Sequence, residues 1–178
     1  LPKARRMSEL TLRRWTKEDE AILPTIAADV RPDIRGINSP ATHTCVCLEA
    51  EKIVGIAMGT APVGGTIATL DYVRSLIAGR DDILLALAEW HNSNAIALGY
   101  KEAQIVIPYT GQCTNVRTTA SLKTYIGGKV AVSFAPEGTV MTTGKVAQER
   151  MESKDLKTAA GSLAAALDAM GCVRTTDA

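Results

Sequence analysis

Residues 66–108 read TIATLDYVRSLIAGRDDILLALAEWHNSNAIALGYKEAQIVIP. Residues 66–73 alternate and are β-rich, residues 82–98 carry an apolar stripe of helical period, and residues 103–107 form a short apolar run of buried-strand type. This is strand, helix, strand, with Gly99 placed to end the helix in the left-handed conformation. A right-handed crossover makes the two strands parallel neighbours. Ala68, Leu70 and Tyr72 share one face by the two-residue period and are expected to pack on Ile83, Leu84, Leu87 and Ala88 of the helix. The turn RSLIAGRDD leads into the helix start, where units of this kind bind an anion or a cofactor.

Upstream, residues 10–15 (LTLRRW) read as a first strand. Thr16 and Asp19 have the spacing of a helix cap with an acidic first turn, and Pro24 kinks or restarts the helix that follows. Residues 43–49 and 53–60 make a hairpin around Ala50-Glu51-Lys52. Downstream, a helix is predicted over 115–126, ending at Gly127-Gly128. Residues 129–134 and 138–142 are then expected to form a last hairpin around Pro136-Glu137. Residues 144–172 differ in kind. Leu156, Leu163 and Met170 lie seven apart, with Ala159 and Ala166 at the a/d offset, which predicts a narrow amphipathic helix after a polar linker.

With 178 residues, 46% of them apolar, the chain is long enough for one proper core. A net charge of +1, with two Trp, four Tyr and one Phe scattered along it, argues against a nucleic-acid partner. Lys3, Arg5, Arg6, Arg13 and Arg14 read as a solvated basic terminus, and Met7 is a candidate start. Cys45, Cys47, Cys113 and Cys172 lack metal-ligand spacing and read as small core residues of a cytoplasmic or otherwise intracellular protein. No apolar stretch reaches the ~18 residues of a membrane helix, so no membrane is expected. His43 and His91 have no partner at triad or metal spacing; both are expected at the surface or as caps, and no metal site is expected.

In its element order and in several local segments, the chain resembles the GNAT (general N-acetyltransferase) superfamily. LTLRRWTKEDEAIL resembles that family's first strand and helix, LEAEKIVGIAMG its next hairpin, IATLDYV its fourth strand, and NVRTTASLKTYIGGKVAV its late helix and following strand. The resemblance covers about residues 8–142 and implies an α+β fold. Its centre would be a mixed, mostly antiparallel sheet flanked by helices, with a V-shaped gap where the fourth strand splays from the next. An extra C-terminal helix lies outside it. The expected organisation is a basic extension over 1–9, a GNAT-like domain over 10–142, and a polar linker with its amphipathic helix over 143–178.

The family motif V-x-P-x-x-R-G-x-G-x-G/A cradles the coenzyme A pyrophosphate at a helix N-terminus. Laid from Val73, this chain has Ser75 for the proline, Ala78 for the arginine, Gly79 for the first glycine, and Asp81 and Ile83 for the other two. The resemblance implies cofactor contacts from Val73, Arg74, Gly79, Arg80 and Asn115. It implies a general base at Asp71, acting through water on an amine. The tyrosine acid of the family falls on Leu122 when counted from Asn115, with Tyr125 three residues on. Asp81 and Asp82 complement the helix dipole without any ligand, oppose a diphosphate, and stand beside a branched Ile83 expected to obstruct backbone approach.

Two functions follow. The first is a GNAT-like scaffold with an impaired loop and no cofactor, a binding or structural subunit of a larger assembly with a protein partner or self-association through the C-terminal helix. The alternative is an acyl-CoA-dependent N-acyltransferase using acetyl-CoA.

Overall fold

The computed structural model describes residues 9–27, 31–32, 37, 42–61, 63–65, 67–109, 130–134, 147–151 and 154–176. The elements run β1 (Leu10–Arg14), a 3-10 helix (Lys17–Thr25), β2 (Thr42–Glu49), β3 (Lys52–Thr60), β4 (Ile67–Ser75), α1 (Asp81–Ala97) and β5 (Glu102–Tyr109). Then come β6 (Val130–Phe134), β7 (Ala147–Met151), β8 (Lys154–Asp155), α2 (Leu156–Ala169) and β9 (Arg174–Thr176). The strands form one sheet in the order β6-β7-β5-β4-β3-β2-β1-β9, with β8 on β5. The pairs β4–β5 and β1–β9 are parallel; the other pairs are antiparallel. This is the expected mixed, mostly antiparallel sheet with flanking helices.

Local chemistry accounts for the element ends. The Asp19 carboxylate accepts the Thr16 N–H at 2.7 Å and two bonds from Arg13 at 2.7 and 2.9 Å, so it both caps the helix and ties it to β1. Burial pushes this carboxyl up, but the bonds from Arg13 and Thr16 outweigh that and hold it below its ordinary value. The helix that Pro24 would kink is wholly 3-10, a form suited to short segments. At the end of α1, Gly99 has φ +90°, its N–H bonds Ile96 O, and Tyr100 N–H bonds Ala95 O, the paired bonds of a Schellman cap.

The sheet has a core on each face. Towards α1 lie Leu10, Leu12, Cys45, Cys47, Ala57, Leu70 and Val73, packed with Ile83, Leu84, Leu87 and Ala88. On the opposite face lie Leu23, Ile26, Val46, Ile56 and Tyr72. Tyr72 is therefore on the wrong face for the period-two expectation, and Val73 takes its place. The cause is a β-bulge: Met58 pairs Tyr72 and Gly59 pairs Leu70, leaving Asp71 without an opposite number on β3. The described cysteines, Cys45, Cys47 and Cys172, are free and buried, as expected of core residues. Burial, reinforced by Cys172, pushes the Cys47 thiol up to about 12.

Three expectations change. Strand β6 pairs with β7, further along the chain than the predicted hairpin partner, in a segment read as linker; residues 138–142 and the helix over 115–126 lie outside the described residues. The stripe of α2 packs inside the chain's own core, with Leu163 and Leu167 fully buried beside α1, and β9 then adds to the edge at β1. Arg174 fastens this return to α1 through Glu89 at 2.5 and 2.8 Å. Arg13 and Arg14 are built into the fold, Arg14 lying 5.3 Å from the centre of the Trp90 ring.

His91 is the clearest departure. It is buried in α1, not at the surface, and neither ring nitrogen has a hydrogen-bond partner among the described residues. Burial, with His43 nearby, lowers its pKa to about 4. His43 is half-buried, within 3.4 Å of Arg14, and shifted the same way by burial and that arginine.

Candidate functional site

The site begins where β4 and β5 part. Their parallel pairing runs from Ile67–Glu102 to Leu70–Ile105 and stops. Beyond it, β4 stays on β3 as far as Ser75, whereas β5 turns to β7 from Val106 onward. Residues 71–75 of β4 thus keep a strand partner on one side only among the described residues. The bulge falls at Asp71, the first residue past the last β4–β5 pair. Bulge and gap together put the backbone of Asp71 at the apex of the opening.

From the apex, β4 leads to the start of α1. Val73 is fully buried, so it offers the gap only backbone. Arg74 is half-buried, alternates onto the face opposite α1, and makes no ion pair among the described residues. Ser75 Oγ donates to Ile77 O at 2.6 Å and accepts from Ile77 N–H at 3.2 Å, folding the turn. Gly79 has φ +77° and open space where a side chain would stand. Among the described residues no side-chain hydrogen bond caps the start of α1.

The helix start is nevertheless crowded with carboxyl groups. Arg80, the substitute for the missing motif arginine, donates to Glu49 at 3.2 and 2.7 Å and to Asp82 at 2.9 and 3.0 Å. All three guanidinium nitrogens are engaged, and these bonds, Asp82's first, raise its pKa further. Asp82 is buried and Asp81 half-buried, and two carboxyl groups, those of Glu49 and Asp82, share the one guanidinium.

Ile83 does not obstruct the cradle. Its side chain is fully buried and points at β3, where Gly55 leaves room for it. A Cβ on Gly55 would stand 2.6 Å from Ile83 Cγ2 and 2.9 Å from Leu87 Cδ1. Close helix–strand contact is obtained here with a glycine on the strand. Tyr125 and Asn115 lie outside the described residues. The sequence reading missed Glu49 as a partner for Arg80; its only signal was an acid at the end of a hairpin strand. It also missed the bulge, which an Asp within a β-rich run marks only faintly.

No protein-family model matches the sequence, and no curated protein matches it. Among solved structures, it is similar to a probable acetyltransferase of the GNAT family from Chromobacterium violaceum, with a TM-score of 0.64 and 13% identity over 86% of this chain and 91% of that one. It is similar to the ribosomal-protein-S18-alanine N-acetyltransferase of Escherichia coli at a TM-score of 0.61 and 13% identity, over 83% and 94% of the two chains. An N-acetyltransferase from Staphylococcus aureus Mu50 gives a TM-score of 0.61 at 11% identity, over 84% and 99%. With the divergent β4 and β5, the bulge and the crossover helix, the chain has the GNAT fold.

Proposed function

We propose that the chain is an N-acyltransferase that moves an acyl group from a pantetheine thioester of the acyl-CoA type to an amine. The observation that carries this reading is the coincidence of the β-bulge at Asp71 with the end of β4–β5 pairing at Leu70. A closed sheet has no use for such an opening, and the solved structures that share the fold carry acetyltransferase names.

A bound thioester supplies an electrophilic carbonyl carbon: the new C–N bond forms as C–S breaks, and the proton lost by the amine balances the departing thiolate. The backbone of β4 past Leu70, where pairing with β5 has ended, is the proposed source of N–H groups that orient such an arm and stabilise charge on the carbonyl oxygen. Asp71, at the bulge, takes the amine proton through water, and Tyr125 is the proposed acid. The gap fits the amide-bearing arm of a coenzyme; the carboxyl-lined start of α1 does not fit its diphosphate.

The test is amine-dependent thiol release. The chain is incubated with acetyl-CoA or acetyl-pantetheine and a panel of primary amines, including peptide N-termini and polyamines. Release by the wild type and a loss of roughly 10²–10⁴-fold in Asp71→Asn is the expected pattern. No release from either donor across the panel refutes the reading.

One observation favours the scaffold reading, in which the chain binds a partner or itself through its C-terminal helix: Arg80, beside the start of α1, is held by the chain's own carboxylates. The α2 stripe, however, is already buried within the chain at Leu163 and Leu167.

A further inference from the structure

The face of the sheet opposite α1 carries a cation that no described residue answers. Val73 is fully buried towards α1, so alternation puts Arg74 on the other face. There it pairs across the ladder with Ile56, with Tyr72 and Leu76 two residues to either side, and all three belong to the apolar cluster of that face. The guanidinium is half-buried and makes neither an ion pair nor a side-chain hydrogen bond among the described residues. Arg13, Arg14, Arg31, Arg80 and Arg174 all hold partners, so Arg74 stands apart from the other arginines whose side chains are described. Asp19, the carboxylate buried under the 3-10 helix on the same face, is already held by Arg13. A cation on a partly desolvated apolar surface is costly until an anion meets it, and the same surroundings strengthen the attraction when one does.

We infer that Arg74 is a specificity-determining residue and that the acceptor is an amine bearing a carboxylate. The inference rests on the acyl-transfer reading of the adjoining site. Arg74 lies three residues past Asp71, roughly 10 Å of strand, so amine and carboxylate belong to one small molecule or one peptide end. It faces away from α1, so the anion it meets is not one seated at the helix start, where Glu49 and Asp82 already hold Arg80. The planar guanidinium matches a carboxylate by two parallel bonds, and it repels an acceptor that carries only further amines.

The experiment is thiol release by the full chain from acetyl-CoA or acetyl-pantetheine, with β-alanine, 4-aminobutyrate and glycylglycine each set beside its primary amide. For the wild type, kcat/KM should be about 10–100-fold higher for the carboxylate of each pair, chiefly through KM. In Arg74→Gln that ratio should fall to within about twofold of one, and Arg74→Lys, which keeps the charge without the fork, should retain part of it. Arg74→Met, with an unbranched apolar stem, replaces the Gln variant if circular dichroism shows the latter unfolded. Equal or faster turnover of the amides by the wild type would overturn the inference and leave acyl transfer standing. A preference that survives in Arg74→Gln would overturn it as well, since the carboxylate would then be held elsewhere. So would loss of coenzyme A binding in that variant, by calorimetry, with the ratio unchanged, which assigns Arg74 to the donor. No turnover of any acceptor by the wild type overturns both readings.

Discussion

Gly55→Ala is the sharpest test of how α1 is seated on the sheet. The added methyl would stand 2.6 Å from Ile83 Cγ2, 2.9 Å from Leu87 Cδ1 and 3.2 Å from the Arg74 carbonyl oxygen. Both side chains are fully buried, and the carbonyl belongs to the paired strand, so no neighbour can yield into solvent. Overpacking of this kind costs about 1–3 kcal/mol. Ile83→Ala alone removes a buried side chain and should cost about 2–5 kcal/mol. In the double variant the new methyl enters the space Ile83 vacates, so the combined loss should fall short of the sum by about 1–2 kcal/mol. Urea unfolding of the four proteins, followed by circular dichroism, gives each term. Additivity within ~0.5 kcal/mol would mean that the two positions do not share space, and the account of α1 docking through Gly55 would fail.

The pH dependence of stability should carry the signature of His91. Its pKa is about 4 folded against 6.5 unperturbed, so the unfolded chain takes its proton first. Stability is therefore full above pH 6.5 and declines as pH falls towards 4, by about 3 kcal/mol; His91→Leu should flatten that slope in urea midpoints measured from pH 7.5 to 4.5. Leu167→Ala should destabilise the chain by about 2–5 kcal/mol, because this side chain is fully buried between α2 and α1. If thermal and urea unfolding are unchanged, α2 does not dock as described, and light scattering should then reveal an intermolecular role. The β2–β3 turn holds Ala50 at φ 49° and Glu51 at φ 66°, a geometry that favours Asn-Gly. The double change Ala50→Asn/Glu51→Gly should stabilise by about 1–2 kcal/mol, read as a raised melting temperature.

The sequence made the central crossover legible because its signals are local: alternation in β4, helical spacing in α1, a glycine at its end. It also predicted the mixed sheet and the gap, through the order of elements shared with a known family. The face of Tyr72 was not legible. A bulge is settled by pairing with β3, and no residue within 66–73 announces it. Nor was the burial of His91, since a histidine among small residues fits a helix surface equally well until the sheet packs over it. At the site, the missing glycines were visible, but their meaning was not. Ile83 looked like an obstacle because Gly55, which receives it, lies on another strand. The pairing of Arg80 with Glu49 joins residues far apart in the sequence, and only the fold brings them within 2.7 Å.

The parallel pairing of β1 with β9 sets an order of events during synthesis. Leu10 lines up with Arg174, so β1 waits for a strand made much later in the chain. At 5–20 residues per second, the interval is roughly 10–30 s, far longer than a hairpin needs to form. Until it ends, β1 presents an uncovered edge to every neighbouring nascent chain. The same strand supplies Leu10 and Leu12 to the core, so its exposure also delays closure around α1. Yield in the cell should thus respond to the rate at which the codons between β1 and β9 are read, even where the finished protein is equally stable.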